Sequence, residues 1–152
     1  MTDHSPPAPA SAPPPGFKPL DTGPADMFVA ANGPLYRARE GDHLLVGMRV
    51  ERRHCNPTSI CHGGMLMTFV DMAMVMAIHY QAKIIHFMPT VNLTADFLAG
   101  APLGSWIQAR TDILRVTRKL VFAQCLVSAD GSAAVRASGV FKIGPALKRG
   151  PE

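Results

Sequence analysis

The stretch GGMLMTFVDMAMVMAIHY, from Gly63 to Tyr80, holds no proline and no internal turn signal, and its residues are apolar on nearly every face. Five of the nine methionines fall within it. A membrane-spanning reading fails, because the uninterrupted apolar run is shorter than the ~20 residues a bilayer requires and Asp71 interrupts it. The segment reads instead as a helix buried by protein all round.

What surrounds this helix has period two. Upstream, Leu44, Val46, Met48 and Val50 alternate with Leu45, Gly47, Arg49 and Glu51, and Tyr36 to Glu40, before the Gly41-Asp42 turn, supplies a paired strand. Downstream, Val91, Leu93, Ala95 and Phe97 alternate with Thr90, Asn92, Thr94 and Asp96 in a strand that Gly100-Ala101-Pro102 ends. Further strands are expected from Ser105 to Val116 and from Leu120 to Ala129. Asp130-Gly131 is a hairpin signal, after which Ala133, Val135, Ala137, Phe141 and Ile143 face one side of a last strand. One long helix with two strands before it and four after it describes an α+β arrangement, an antiparallel sheet wrapped around a central helix.

At 152 residues, 47% apolar and 17% charged, the chain fits one compact domain, expected over residues 25–144. Residues 1–24 carry eight of the fourteen prolines and read as a disordered leader. A short helix is expected over Pro24 to Ala31, stopped at Asn32-Gly33, and residues 145–152 read as a loose tail. Three cysteines, an odd number, and no basic-then-apolar leader point to a reducing, cytoplasmic compartment. The net charge of +4 suits an anionic ligand, but Lys and Arg are scattered without interleaved aromatics, which argues against nucleic acid.

Asp71 needs the most explanation, since an ionised carboxylate in an apolar helix is costly unless paired or used. No Lys or Arg lies at i±3 or i±4, and Thr68 is its one nearby hydrogen-bonding neighbour on the helix. It is read either as a structural carboxylate satisfied by another strand or as a catalytic base. At the helix start stands His62-Gly63-Gly64, where unpaired backbone N–H groups and the positive end of the helix dipole suit a developing oxyanion. Glycine there lets a ligand oxygen approach the backbone, although a Gly pair is also ordinary turn chemistry.

Taken together, Asn56, His62, Asp71, the apolar helix and the later Thr90-Val91-Asn92-Leu93 strand resemble the hotdog-fold acyl-coenzyme A thioesterases of the PaaI type. The resemblance runs from about Met27 to Ile143. It implies the hotdog fold, hydrolysis of acyl-coenzyme A, no cofactor and no metal. It also implies a homodimer, assembling further to a homotetramer, that engages no nucleic acid or membrane. Under it Asp71 is the nucleophile or the general base for water, and the Gly63 N–H polarises the thioester carbonyl, with Gly64 beside it. Asn56 helps hold water or thioester, His62 shapes the helix start, and Thr90 stands for the family's hydroxyl residue. Ser59 stands where many members have Gly, Thr90 replaces the commoner Ser, and simple alternation puts Thr90 on the face opposite Val91 and Leu93. Arg118 and Lys119, in a turn between strands, are candidates for coenzyme A phosphates.

Geometry adds a step of its own. Eight residues on one helix separate Gly63 from Asp71 by roughly 12 Å along the axis, too far for one carbonyl to touch both. If the two act together, they come from different subunits of a two-fold dimer with antiparallel helices. Competing readings are a zinc site on His54, Cys55, Cys61 and His62, a Cys61 nucleophile, and a hotdog module that binds an acyl ligand without turnover.

Overall fold

The computed structural model describes residues 12–148. Helix α2, Gly63–Ala82, lies across one face of a seven-stranded antiparallel sheet. The strands are β1 (Lys18–Pro19), β2 (Tyr36–Glu40), β3 (His43–Arg49), β4 (Thr90–Phe97), β5 (Trp106–Val116), β6 (Leu120–Ala129) and β7 (Ser132–Lys142). Their order across the sheet is β1-β2-β3-β5-β6-β7-β4. Helix α2 and β4 thus form an excursion between neighbours β3 and β5, and β4 returns to the far edge against β7.

Local chemistry sets the hairpins. Gly41 has φ 57°, and the turn between β6 and β7 has φ 46° at Asp130 and 87° at Gly131, the doubly positive pattern that a two-residue hairpin favours. Between the layers, Phe69, Val70, Met74 and Ile78 of α2 meet Val46 and Met48 of β3, Ile107 of β5, Val121 and Val127 of β6 and Phe141 of β7, all at most 1% exposed. Burial of each large side chain contributes about 1.5–3 kcal/mol against the entropy of ordering the chain.

Several expectations change. Helix α2 is not buried all round: nine residues are buried, but Gly64, Met67, Thr68, Asp71, Val75 and His79 form a stripe left partly or fully open. The short helix α1 spans Phe28–Asn32, starting later than Pro24 because residues 24–27 make turns instead. Of the expected leader, residues 12–24 are ordered, while residues 1–11 lie outside the described residues. Lys18–Pro19 pairs with β2, and Phe17 packs edge-on against Trp106 with ring centroids 4.9 Å apart. Gly47 makes room for that indole, since a Cβ there would stand 2.3 Å from a Trp106 ring carbon. Gly47 is therefore buried although it faces away from α2.

The tail is likewise held as far as Leu147, whose N–H donates to the Ile85 carbonyl at 3.1 Å. On β7, Ala134 rather than Ala133 is buried, because the pairing slips between Val127 and Ser128 of β6. Ile143 lies just past the strand and packs half-buried on the core.

Candidate active site

The approach to α2 is a miniature antiparallel ribbon. His62 N–H donates to the His54 carbonyl at 2.8 Å and Asn56 N–H to the Ile60 carbonyl at 2.9 Å, so Cys55 and Cys61 stand opposite one another between these bonds. The Asn56 side-chain oxygen closes the loop, accepting from Thr58 N–H at 3.0 Å, Thr58 Oγ1 at 2.7 Å and Ile60 N–H at 3.2 Å. That oxygen is committed to the loop, which leaves the amide nitrogen of Asn56 for any ligand. Ser59 has φ 60°, a left-handed conformation in which glycine is the unstrained choice.

His62 is the N-cap of α2, and its Nδ1 accepts from the Gly64 N–H at 2.9 Å. An accepting Nδ1 places the ring proton on Nε2. The cap consumes the Gly64 donor, so of the two glycines only Gly63 keeps an N–H without a partner among the described residues. Gly63 lines a cleft of about 300 Å³ whose other walls are Cys61, Leu66, Phe97, Leu98, Ala99 and Gly100. A carbonyl oxygen entering there meets a helix N-terminus within apolar walls, where a hydrogen bond to developing charge is strengthened. Phe97 to Gly100 are the residues that sequence reasoning missed. The available signal was the apolar pair Phe97-Leu98 at the end of β4, both more than half exposed.

Asp71 sits on the open stripe, and its Oδ1 accepts from Thr90 Oγ1 at 2.6 Å. Thr68, its expected helical partner, instead donates to the Gly64 carbonyl at 2.9 Å. Simple alternation fails for Thr90 because of a β-bulge. Thr90 pairs with Phe141 and Asn92 with Val140, leaving Val91 as the extra residue. Thr90 therefore shares the inner face with Phe141 and meets the helix, while Val91 is turned out and 59% exposed.

Within one chain these two centres stay apart. Gly63 lies near Phe97 and Asp71 near Thr90, at opposite ends of β4, and the eight helical residues between them span roughly 12 Å. Arg118 and Lys119 are exposed in the β5–β6 turn, at the Thr90 end, since Lys119 O accepts from Ile143 N–H at 2.8 Å. The competing chemistries fare less well. Among the described residues no three His, Cys, Asp or Glu side chains are grouped as metal ligands, and the Nδ1 atoms of His54 and His62 are taken by the Glu51 and Gly64 N–H groups. Burial pushes the Cys61 thiol up to about 11, which removes the thiolate a nucleophile requires despite the nearby helix start.

A seven-stranded antiparallel sheet around one long helix defines a hotdog-fold protein. The comparisons agree. The family described as Thioesterase superfamily matches residues 58–135, and the chain belongs to it. The chain is similar to a Pseudomonas aeruginosa protein that carries the name "putative esterase", 28% identical over 131 residues covering 86% of this chain and 96% of that protein. In fold it is similar to a mutant of the phenylacetic acid degradation protein PaaI of Thermus thermophilus, with TM-score 0.64 and 18% identity over 74% of this chain and 95% of that one. A hypothetical thioesterase from Streptococcus pneumoniae, solved with coenzyme A, has TM-score 0.65 and 15% identity over 75% and 88% of the two chains.

Proposed function

We propose that the chain hydrolyses acyl-coenzyme A thioesters to the free acid and coenzyme A, at a site shared by two copies of the chain. One observation carries the reading. Gly63, whose N–H has no partner among the described residues, lines an apolar cleft, while the Asp71–Thr90 pair lies on an open stripe of the same helix, too far along it to reach that cleft.

Two copies joined about a two-fold axis, with their α2 helices antiparallel, cover both stripes and bring Gly63 of one beside Asp71 of the other. The acyl chain then lies along Phe97 and Leu66, with its carbonyl oxygen at the Gly63 N–H. Thr90 holds Oδ1 of Asp71, which leaves Oδ2 to take a proton from water as the water attacks the carbonyl carbon. Attack by the carboxylate itself, followed by hydrolysis of the anhydride, uses the same groups. Collapse of the tetrahedral oxyanion expels the coenzyme A thiolate. Arg118 and Lys119, at the Thr90 end, are suited to its phosphates. The Streptococcus pneumoniae thioesterase solved with coenzyme A favours this substrate class over other thioesters.

The test is thiol release, followed with Ellman's reagent, over a panel of aliphatic and aromatic acyl-coenzyme A substrates. Turnover of at least one member is expected. No release from any of them, with ligand binding intact, would replace this reading with that of an acyl-binding module.

A further inference from the structure

We propose that Cys55 and Cys61 form a reversible disulfide under a two-electron oxidant such as hydrogen peroxide, making the loop before α2 an oxidation site of the protein. Cys55 and Cys61 are directly opposed in an antiparallel bridge, and the flanking hydrogen bonds run from His62 N–H to the His54 carbonyl and from Asn56 N–H to the Ile60 carbonyl. That pattern makes them a non-hydrogen-bonded pair, in which Cα atoms stand about 4.5 Å apart and side chains share one face. The distance falls inside the 4.4–6.8 Å window that a disulfide accepts without moving the backbone. Both residues border the same core, and both are free thiols in this structure.

The two sulfurs differ in a way that orders the steps. Cys55 is half-buried and donates at 3.4 Å to the Glu51 carbonyl; burial raises its thiol, and the Arg52 charge offsets part of that rise. Cys61 is 3% exposed, and its thiol is held up at about 11 by burial. Peroxide therefore meets Cys55 first. The Cys55 thiolate attacks the O–O bond, giving a sulfenic acid and, after protonation, one water. Cys61, held opposite Cys55 by the bridge, needs no standing thiolate for this intramolecular step: its sulfur attacks the sulfenic sulfur as its proton passes to the departing oxygen, the S–O bond breaks, and a second water leaves. Two thiols are oxidised, one peroxide is reduced, and Asn56 to Ile60 become a covalently closed loop. Cys125 takes no part, because it lies in the middle of β6, opposite Thr111 and Ala137.

The experiment treats the full-length protein with hydrogen peroxide, counts thiols after denaturation, and maps the tryptic peptide 54–83, which contains both cysteines. Free thiols should fall from three to one per chain. In peptide 54–83 the two cysteines should together lose two hydrogens, regain them with dithiothreitol, and gain no oxygen, as read from fragment ions that separate them from the five methionines. The Cys55→Ser variant should keep its thiols under the same dose, and the Cys125→Ala variant should still form the bond. These readouts are independent of hydrolysis, so they stand or fall apart from the proposed activity. Three surviving thiols, sulfinic acid on Cys55, or a bond joining either residue to Cys125 or to a second chain would overturn the proposal.

Discussion

The two faces of α2 have opposite fates. Phe69, Val70, Ala73, Met74, Ala77 and Ile78 lie against the sheet at no more than 1% exposure, whereas Met67, Thr68, Asp71, Val75 and His79 remain half-open. The first face is finished within one chain. The second carries the only carboxylate of the helix together with half-open methionine and valine, the face on which the proposed second copy would pack. A residue on the packed face should therefore govern stability, and one on the open face chemistry.

The largest effect expected from this division belongs to Phe69, fully buried at the centre of the packed face. Phe69→Ala should cost about 3–5 kcal/mol of stability, read by urea unfolding, because the cavity adds to the lost burial. Any chains that remain folded should keep their turnover number within about twofold, as expected for distant independent sites. A large loss of turnover without loss of stability would dissolve the distinction between the faces. On the open face, Asp71→Asn keeps the shape and removes the base. Hydrolysis should fall at least about a hundredfold, or ~2.7 kcal/mol of barrier, with unfolding almost unchanged. Retention of half the turnover would remove Asp71 from the mechanism.

How these faces could be read in advance differs from element to element. The strands and hairpins were legible because Gly41, Asp130 and Gly131 state their turns locally, and α2 because nothing in 63–80 interrupts it. Which side of α2 would stay uncovered was legible only in part: Thr68, Asp71 and His79 share that side, but Met67 and Val75 beside them are as apolar as the packed face. The same holds for residues 12–20, whose order comes from Trp106 and β2, distant in sequence. Of the candidate site, the His62 cap and the bare Gly63 donor follow from helix-end chemistry and were within reach. The Asp71–Thr90 contact was not, because it depends on an extra residue at Val91 that appears only when β4 pairs with β7.

That bulge allows the comparison to be sharpened. Thr90→Val removes the 2.6 Å hydrogen bond to Asp71 with little change of shape. Turnover should fall by about tenfold, the ~1.4 kcal/mol of one such bond, and Thr90→Ser should restore most of it. Equal activity in all three proteins would mean that Thr90 only satisfies the carboxylate. A loss that Ser does not rescue would instead point to the threonine methyl group and its packing.

The smallest expected deficit, only about fourfold below wild type, comes from the experiment that asks whether the open face is completed by a second copy. One protein carries Asp71→Asn and the other Gly63→Pro, which deletes the N–H of the cleft-lining residue. The proline is compatible with this position on three counts. It occupies the first helical residue, where proline is tolerated. His62 before it is extended, with φ −62° and ψ 138°, as a residue preceding proline requires. A Cβ on residue 63 meets nothing closer than the Phe97 ring at 3.7 Å, an ordinary contact. Gly63→Ala, which keeps the N–H, is the control for bulk. Each parent should be folded and inactive. In a mixed dimer one site receives both defects and the other neither, because each site takes its donor from one chain and its carboxylate from the other. With random exchange at equal concentrations about half the dimers are mixed, each with one intact site, so activity should return to about a quarter of wild type. If differently tagged chains are shown to exchange and the mixture stays inactive, each chain carries its own complete site. The open stripe of α2 would then need an explanation other than catalysis.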